Sequence, residues 1–478
     1  MSEATTSRRS VLAGLAVGGA AFGLPGLASP AFATPPPPAL QNPLVRQRAD
    51  AQVFRHDDGR YYMTASVPEY DRLIIRRSAT LAGLGSAPET VIWRRPAAGK
   101  LGGYIWAPEL HWFDGAWHMY FAAGDKDDPF RIRTYVLRGL GADPLIARWA
   151  LLGQLETPWD SFTLDSTSFV HRGTRYLCWA QKEPGIDTNS NLYLAPLASP
   201  TILAAAPARL TVPTLDWEVQ GFKVAEAPAL LERNGRLFLT YSASATDARY
   251  CLGLLTANAD ADIMEPTSWT KSPVPVFTSS AETGVYGPGH NSFTVDEQGR
   301  DVLVYHGRDY EKIEGDPLFD PNRHTRVQRL YYRADGTPDF GIPVGNGPLP
   351  DRLSPLGRRQ AFVRHDGDRL LVGGGAIAAS QFRLVASGAG VTLQPITSGG
   401  RVVRVGDGGA VRLDRDDGSR AFAQRSRFEV RPGLADPAAR SFVLGGRDGG
   451  YLAADGDRLA ILRPGTPAER ARATFTIS

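Results

Sequence analysis

A pattern of polar and apolar positions recurs five times along residues 50–306. In each copy one residue opens an apolar run, a turn glycine ends it, and a run of β-branched and aromatic residues returns, which is the sequence form of a β-hairpin. The copy at Glu226 is the clearest, because Asn234-Gly235 separates residues 226–233 from the strand-like run 236–241. The opening residues are Asp50, Trp106, Asp165, Glu226 and His290, and the turn glycines are Gly59, Gly115, Gly173, Gly235 and Gly299.

The spacing of these copies predicts a β-propeller. The opening residues are 56, 59, 61 and 64 positions apart, which leaves room in each repeat for a hairpin and two further strands, that is, for a four-stranded blade. Each stands nine positions before its turn glycine, except Asp165, which stands eight before Gly173. Since the first strand of a blade lines the central axis, we expect the five opening side chains to converge there. Glu109, three positions after Trp106, has the opposite strand parity, so we expect it to point away from that face.

Short β-rich runs separated by Gly, Asp and Pro turns predict an all-β fold, with a five-bladed β-propeller over residues 44–350. The chain of 478 residues is too long for one ordinary core, and its texture changes near residue 360 to shorter strands with more glycine. Here Phe382, Phe428 and Phe475 recur at steps of 46 and 47, which suits three units of a β-trefoil over residues 351–478. We expect these phenylalanines to pack in its core.

The N-terminal residues 1–33 are predicted to be an export signal of the twin-arginine type. Arg8-Arg9 precedes a Gly/Ala-rich apolar stretch, and Ala31-Phe32-Ala33 supplies a small-x-small cleavage site. The alternative is a membrane anchor, but Pro25 and several glycines interrupt the apolar run. Residues 34–43 are a Pro-rich spacer. The sequence therefore predicts a secreted bacterial protein that has no membrane association after cleavage.

Composition excludes several classes of function. The net charge is only +3, and no basic run is interleaved with aromatic residues, so nucleic acid is not indicated as a partner. No CxxC, HExxH, Walker or GxGxxG context and no serine nucleophile elbow is found, which removes the common zinc-hydrolase and nucleotide-binding readings. Cys178 and Cys251 each lie in a strand-like run, where they are either buried thiols or one disulfide bridge.

Three of the five converging residues are carboxylates, and this combination points to glycoside hydrolysis. One carboxylic acid protonates the leaving oxygen, and a second carboxylate works on the other face of the sugar. A third, placed near the acid, keeps it protonated at the working pH, and the indole of Trp106 offers a flat surface to the C–H face of a sugar. His290 is a structural imidazole, a metal ligand or a sugar contact. Without a second ligand at a recognisable spacing it does not indicate a zinc site, which leaves a weakly held calcium or sodium ion bound through water.

These stretches resemble glycoside hydrolase family 43. The resemblance rests on residues 48–53, the WAPEL stretch 106–110, and residues 164–166, 221–228 and 287–291. It implies a five-bladed propeller that hydrolyses arabinans or xylans with inversion, in which Asp50 is the general base, Glu226 the general acid, and Asp165 the residue that raises the pKa of the acid and orients it. The residues that flank Asp50 and Glu226 depart from those common in the family. Sugar contacts are expected from Trp106, Phe222, His290 and Arg326, the last in competition with Arg323 and Arg329.

The C-terminal residues are similar to an arabinofuranose-binding β-trefoil, carbohydrate-binding module family 42. Residues 426–436, 441–443 and 450–452 carry this resemblance. Such modules usually place a histidine after the Tyr-Leu element, whereas Ala453 follows Tyr451-Leu452 here. Asp414 and Asp457 are the remaining candidates to accept hydrogen bonds from a sugar.

The sequence as a whole predicts a secreted, inverting glycosidase that releases terminal α-L-arabinofuranosyl residues from arabinan, arabinoxylan or their oligosaccharides. A β-xylosidase or an endo-arabinanase would use the same carboxylates, and a propeller that only binds polysaccharide is the alternative outside enzymes. No cofactor is required, with a structural calcium or sodium ion near the axis as an optional addition. The expected partner is plant cell-wall polysaccharide or an arabino-oligosaccharide, and we expect a monomer.

Overall fold

Five antiparallel sheets follow one another along residues 49–329, each built from consecutive strands. This computed structural model describes residues 39–445 and 449–478. The predicted export signal and the first part of the predicted spacer therefore lie outside the described residues.

The five sheets are the blades of the propeller. Blade 1 comprises Ala49–Arg55, Tyr61–Ser66, Arg72–Ser78 and Thr90–Arg94. Blade 2 comprises Ile105–Phe113, Ala116–Ala123, Arg133–Leu140 and Arg148–Gln154. Blade 3 comprises Thr163–His171, Thr174–Gln181, Asn191–Ser199, Ile202–Leu203 and Ala208–Thr211. Blade 4 comprises Ala225–Arg233, Arg236–Ala243, Cys251–Asn258 and Thr270–Lys271, and blade 5 comprises Tyr286–Val295, Asp301–Arg308 and His324–Arg329.

The predicted number of blades is confirmed, and the predicted four strands hold for blades 1, 2 and 4. Blade 3 has five strands, because two short segments pair with its third strand, and blade 5 has three. The turns between the first two strands of blades 2, 3 and 4 have positive φ at two successive residues, for example Asn234 at 54° and Gly235 at 71°. This is the type I′ geometry that matches the twist of a hairpin, and Asn and Gly tolerate it best.

The N-terminal segment completes the ring of blades. The backbone N–H groups of Leu44 and Val45 both donate to the Thr325 carbonyl, and the Thr325 N–H donates to the Val45 carbonyl. Asn42 adds side-chain hydrogen bonds to the backbone of Val327, in the same outer strand of blade 5. Chain that directly precedes blade 1 is thereby fixed to blade 5, which joins the first and last blades.

The second strand of each blade packs against the innermost strand of the next blade and is therefore largely buried. All residues of Tyr61–Ser66 and of Ala116–Ala123 are buried. Cys178 and Cys251 lie in blades 3 and 4 as buried free thiols, so the disulfide alternative is wrong. None of the helices in the described ranges has the length and apolar character needed to cross a membrane.

Twelve strands of residues 351–477 form one antiparallel sheet system. Phe382, Phe428 and Phe475 are each 0% exposed in its core, as predicted. The strands are Asp351–Pro355, Phe362–Asp366, Arg369–Gly373, Gln381–Ser387, Gly390–Pro395, Arg401–Val405, Val411–Arg415, Phe428–Pro432, Arg440–Leu444, Tyr451–Asp455, Arg458–Leu462 and Phe475–Ile477.

Short segments complete the structure. Two α-helices, Arg420–Ser426 and Pro467–Arg472, are capped by the side chains of Ser419 and Thr466. Two-residue strands pair as Gln41–Asn42 with Gly347–Pro348 and as Tyr331–Tyr332 with Pro338–Asp339. The 3-10 helices are Ala82–Gly85, Asp216–Glu218, Pro266–Ser268, Pro317–Phe319, Ala378–Ser380 and Asp407–Gly409.

Candidate active site

Each blade carries a β-bulge in its innermost strand, at the place where the sequence repeat opens. At this place the pairing with the second strand skips two residues in each blade, and the first of the two has a left-handed backbone with φ between 42 and 53°. Blade 5 has a second register shift, between Tyr286 and Gly289. A bulge bends the strand and re-aims a side chain. The bulge residues are Asp50, Ala107, Asp165, Ala227 and His290.

This register corrects the predicted equivalence of the opening residues in two blades. Asp50, Asp165 and His290 are bulge residues themselves, whereas Trp106 and Glu226 each precede the bulge residue by one position. Trp106 and Glu226 are still paired with the second strand, opposite an alanine and a serine. The five side chains are therefore not strictly equivalent, although all five line one pocket.

The backbone N–H of a bulge residue has left the strand ladder, and in four blades a side chain of the preceding blade accepts its hydrogen bond. The pairs are Ala107 N with Ser66 Oγ at 2.8 Å, Ala227 N with Asp165 Oδ2 at 3.1 Å, His290 N with Ser242 Oγ at 2.8 Å, and Asp50 N with His306 Nδ1 at 3.3 Å. A buried group left without a partner costs about 1–3 kcal/mol. These four bulges are thus held in place by the blade before them.

The pocket at the ends of these strands has a volume of about 480 Å³. Asp50 and Asp165 are 6% and 7% exposed, and Glu226 is half-buried. His290 Nδ1 lies 3.4 Å from Asp50 Oδ1 and 3.8 Å from Asp165 Oδ2, so the imidazole stands between these two carboxylates. The apolar part of the wall consists of Trp106, Phe130, Phe162, Leu164, Phe222, Val224 and Leu318. The pocket therefore combines a carboxylate floor with walls suited to the C–H faces of a sugar.

Asp50 is surrounded by nitrogen atoms that favour its ionised form. Burial raises the pKa of this carboxyl, but the Arg323 guanidinium and the two nearby imidazoles outweigh burial and hold the pKa well below its usual value. Arg323 Nη1 and His306 Nδ1 each lie 3.2 Å from Asp50 Oδ1. Burial lowers the pKa of His290 and brings that of His306 to about 4. At neutral pH both imidazoles are therefore neutral, His306 Nδ1 accepts the Asp50 N–H, and Arg323 supplies the positive charge. Below about pH 4 His306 is protonated, and its Nδ1–H then donates to Asp50 Oδ1 and favours the ionised carboxylate.

Asp165 and Glu226 have the opposite tendency. Burial, followed by the negative charges of Glu226 and Asp50, raises the pKa of Asp165 well above its usual value. Burial also raises the pKa of Glu226 to about 7, although the Tyr250 hydroxyl, which donates to Glu226 Oε1 at 2.8 Å, acts against it. Because the two carboxyls influence each other, their proton belongs to the pair rather than to one residue. At neutral pH the pocket therefore holds an ionised carboxylate beside a pair that carries a proton.

Arg323, rather than Arg326, is the arginine of this pocket. The Nη2 atom of Arg323 donates to the Tyr70 hydroxyl at 2.8 Å, while Nη1 faces Asp50. Arg326 is fully buried in the outer strand of blade 5, where it pairs with Asp309 and contacts backbone carbonyls. Arg326 is therefore too deeply buried for the predicted sugar contact, whereas its competitor Arg323 precedes the strand and lines the pocket.

Glu109 lies in a different cavity from the carboxylate trio. The parity argument for it is wrong, because the bulge between Trp106 and Glu109 interrupts the alternation of the strand. Glu109 is 8% exposed, and its Oε2 lies 2.9 Å from His111 Nε2. It lines a cavity of about 390 Å³ together with the residues two positions beyond the other bulge residues, Gln52, Thr167, Ala229 and Ser292. Glu109 contributes only a minor part of the raised pKa of Asp165.

Aromatic side chains stand at the mouth of the pocket. The rings of Trp106 and Tyr104 are stacked at 5.5 Å with an interplanar angle of 11°, and Phe130 meets Tyr104 edge-on at 5.4 Å. Phe130 and Phe222 are 52% and 57% exposed. Exposed apolar side chains grouped at a concave site are typical of ligand-binding grooves.

The described ranges contain no group of three or more His, Cys, Asp or Glu side chains arranged to hold a metal ion. His290 Nδ1 faces Asp50 and Asp165. The calcium or sodium ion near the axis, held through water, stays a prediction.

Two residues that touch the carboxylates were not identified from the sequence. Tyr250 lies in a loop of blade 4 outside the repeat, where no pattern marks it. His306 pairs opposite Gly289, the residue before a bulge, as Ser66 and Ser242 do in blades 1 and 4. An alignment of the second strands of the repeats could therefore have found His306.

Known sequences and structures are similar to this chain. The sequence model of glycosyl hydrolases family 43 matches residues 40–338. The chain is 48% identical over 427 residues to an extracellular exo-alpha-(1->5)-L-arabinofuranosidase of Streptomyces avermitilis, covering 88% of this chain and 89% of the relative. It is 48% identical over 451 residues to alpha-L-arabinofuranosidase 43 of Humicola insolens, covering 91% and 94%. The crystal structure of an alpha-L-arabinofuranosidase from Lactobacillus brevis is 51% identical, with a TM-score of 0.63 over 64% of this chain and 98% of that chain. Together with the carboxylate pocket of the propeller, these matches show that the chain is a glycoside hydrolase that belongs to family 43.

Proposed function

We propose that this protein is an extracellular, inverting exo-α-L-arabinofuranosidase that removes terminal arabinofuranosyl residues from arabinan, arabinoxylan or their oligosaccharides. The observation that carries the proposal is the convergence of Asp50, Asp165 and Glu226 on one pocket, in which Arg323 faces Asp50 and so favours its ionised form, while Asp165 and Glu226 share a proton. An inverting glycosidase needs both a base and an acid at neutral pH. The names of the relatives from Streptomyces avermitilis and Humicola insolens support the arabinofuranosyl substrate.

The reaction is a single displacement. Asp50 accepts a proton from a water molecule as the water oxygen bonds to the anomeric carbon, and the glycosidic C–O bond breaks on the opposite face of the sugar. Glu226 gives its proton to the departing oxygen, so that one water molecule is consumed and both products are neutral. Asp165 disfavours ionisation of Glu226 through its proximity and charge.

The contacts of Asp165 favour Glu226 as the proton donor. Asp165 Oδ2 accepts a hydrogen bond from the N–H of Ala227, the residue next to Glu226. The Asp165 carboxyl is therefore already engaged by the backbone. Glu226 keeps part of its side chain exposed to the pocket. The carboxyl that is partly exposed to the pocket is the one that can reach a glycosidic oxygen.

The acid and base roles are tested with two aryl arabinofuranosides, one with a good and one with a poor leaving group. Glu226→Ala should impair hydrolysis of the poor leaving group far more, because only that oxygen needs a proton. Asp50→Ala should damage both, since water must be activated in either case. Equal impairment of both substrates by Glu226→Ala would contradict the acid role.

Inversion and substrate class have their own tests. Proton NMR of the first product should show the β-anomer of arabinose before mutarotation, whereas the α-anomer would indicate retention. Chromatography of arabino-oligosaccharide digests, with Glu226→Ala as the control, should show arabinose as the early product. Internal fragments would favour an endo-arabinanase, and xylose a β-xylosidase. If no sugar were released from any arabinose- or xylose-containing substrate, the enzymatic function would be contradicted and a propeller that only binds polysaccharide would be the remaining interpretation.

We also propose that residues 351–478 form a β-trefoil that binds arabinofuranosyl side chains. Twelve strands around three buried phenylalanines support the architecture. The alignments with the two relatives are longer than the segment 40–338 that matches the family model, so the similarity to these relatives extends beyond that segment. Asp414 is engaged by Arg404 and Arg412, whereas Asp457 is exposed. Full-length Glu226→Ala protein should sediment with insoluble arabinoxylan, and adding Asp457→Ala should release it. Equal sedimentation of both proteins would contradict this role of Asp457.

Export by the twin-arginine route is proposed from residues 1–33 and from the extracellular relatives. Replacing Arg8-Arg9 by lysines should retain the enzyme inside the cell. N-terminal sequencing of secreted protein should begin at Thr34.

A further inference from the structure

Tyr250 and His306 form a stacked pair between two of the carboxyls. Tyr250 is 2% exposed, and its hydroxyl donates to Glu226 Oε1 at 2.8 Å. Its ring lies parallel to the His306 imidazole, with an interplanar angle of 3° and 5.6 Å between centroids. His306 is fully buried, and its Nδ1 lies 3.2 Å from Asp50 Oδ1. A continuous chain of contacts therefore runs from the proposed acid to the proposed base.

The backbone of blade 5 makes room for this pair. A Cβ atom added at Gly289 would lie 2.3 Å from both Cδ1 and Cε1 of Tyr250, far inside van der Waals contact. Gly289 is not among the residues with positive φ, so the space needed by the tyrosine ring, rather than backbone conformation, accounts for the glycine. His306 pairs directly opposite Gly289. One strand pair thus supplies both the slot and the stacking partner.

We propose that Tyr250 and His306 are positioning residues, whose stacked rings fix Glu226 and Asp50 relative to each other and whose polar atoms set the protonation of these carboxyls. The inference rests on the proposed acid and base roles. It goes beyond them because neither ring has to touch the reacting atoms. Each acts through the carboxyl that it holds.

Several other groups also influence the protonation of Glu226 and must stay unchanged in any test of Tyr250. The charge of Asp50 raises its pKa and that of Arg323 lowers it, while Asp165 shares its proton. The exposed Lys182 and Asp316 line the same pocket. Among these groups, the Tyr250 hydroxyl is the one that can be removed without changing a formal charge.

Tyr250→Phe keeps the ring and removes the hydrogen bond to Glu226. That bond favours the ionised carboxylate and lowers the pKa of Glu226. A general acid is lost as pH rises through its pKa, so the variant should move the alkaline limb of the kcat profile upward by about one pH unit. The substrate is an aryl arabinofuranoside with a poor leaving group. A purely structural role would lower kcat or the melting temperature and leave the limb in place, which would overturn the proposal.

Tyr305→Phe is the matched control. Tyr305 is also fully buried, but its hydroxyl accepts from the backbone N–H of Val344 and contacts no carboxyl. This variant should keep the alkaline limb of the wild type, with the melting temperature reporting any loss of packing. If both variants shifted the limb equally, the effect would not come from the hydrogen bond to Glu226.

His306→Phe tests the other end of the pair. The contact with His306 lowers the pKa of Asp50, and a base is lost as pH falls through its pKa. The variant should therefore move the acidic limb upward by about one unit while the alkaline limb shifts less. An unmoved acidic limb would overturn the role of His306.

Glu226→Gln separates failure of this inference from failure of the proposed function. If Glu226 is the acid, this variant loses the alkaline limb with the poor leaving group. A limb that persisted would contradict the acid role and the positioning role together. A limb that is lost in Glu226→Gln but unmoved in Tyr250→Phe would overturn the positioning role alone.

Discussion

Removal of the Arg323 charge should move the acidic limb of the pH–rate profile upward. Arg323 Nη1 lies 3.2 Å from Asp50 Oδ1, and both side chains are 7% exposed. Two unit charges about 4 Å apart interact by about 4 kcal/mol at an effective dielectric constant of about 20, and one pKa unit corresponds to about 1.36 kcal/mol. Because water enters the vacated space and weakens the effect, we expect Arg323→Met to raise the pKa of Asp50 by about one to three units.

The sign follows from the proposed role of Asp50 as a base. Its depressed pKa keeps it ionised, and activity is lost only as pH falls through that pKa. Raising the pKa moves this loss to higher pH. The same linkage applies to stability, since the ionised carboxylate contributes stability above its unfolded-state pKa that is lost as pH falls through the folded one. The assay measures kcat/KM on an aryl arabinofuranoside with a good leaving group. Such a leaving group needs no proton from the enzyme, so the acidic limb reports the protonation of Asp50 alone.

Arg326→Met is the matched variant for this experiment. It removes a buried arginine from the same segment, but that arginine pairs with Asp309 outside the pocket. It should lower the melting temperature and leave the acidic limb where it is. The reasoning is refuted if the limb of Arg323→Met does not move, or if Arg326→Met moves it by the same amount.

Three further substitutions test the space at Gly289, the core of the C-terminal sheet and the hydrogen bond that holds the bulge of blade 4. Gly289→Ala should lower kcat and the melting temperature together, because the added Cβ would lie 2.3 Å from the Tyr250 ring; wild-type values would contradict the slot. Phe428→Ala should reduce the free energy of unfolding in urea by about 3–5 kcal/mol, because it empties a fully buried core position. Asp165→Ala should destabilise by about 1–3 kcal/mol more than Asp165→Asn, because only asparagine keeps an acceptor for the Ala227 N–H. Equal urea midpoints for the two Asp165 variants would contradict its role in holding the bulge.

The number of blades and their places along the chain were predictable, because the first hairpin of each blade is specified by its own turn residues and strand-like runs. Asn234-Gly235 accepts positive φ at both positions, and few other dipeptides do. The strand numbers of blades 3 and 5 were not predictable. Ile202–Leu203 is only two residues long and is defined by its pairing with Asn191–Ser199, so no local pattern distinguishes it from a loop.

The bulges were the largest feature that the repeat analysis did not predict, and they shifted the register at Trp106 and Glu226. One trace of them exists in the sequence. Pro108 and Pro228 occupy the second position of the bulges in blades 2 and 4, inside what otherwise reads as a central strand. Proline has no N–H for a ladder and is confined to edges, strand starts and bulges. Those two prolines would have predicted where the alternation of side chains along the strand is interrupted. The side of the strand on which Glu109 lies could then have been predicted correctly.

The fold and the chemistry of this site depend on the same atoms. A left-handed backbone at a residue other than glycine is strained, and Asp tolerates it better than Ala because a short polar side chain can hydrogen-bond locally. Asp165 meets that backbone requirement in blade 3, and its carboxylate also accepts the N–H of the bulge in blade 4 that places Glu226. The charge of Glu226 in turn raises the pKa of Asp165, so the protonation of the two carboxyls is linked at the same point. A substitution in one blade therefore alters the geometry of the next, so the proposed acid in blade 4 depends on a residue of blade 3 for both its position and its protonation.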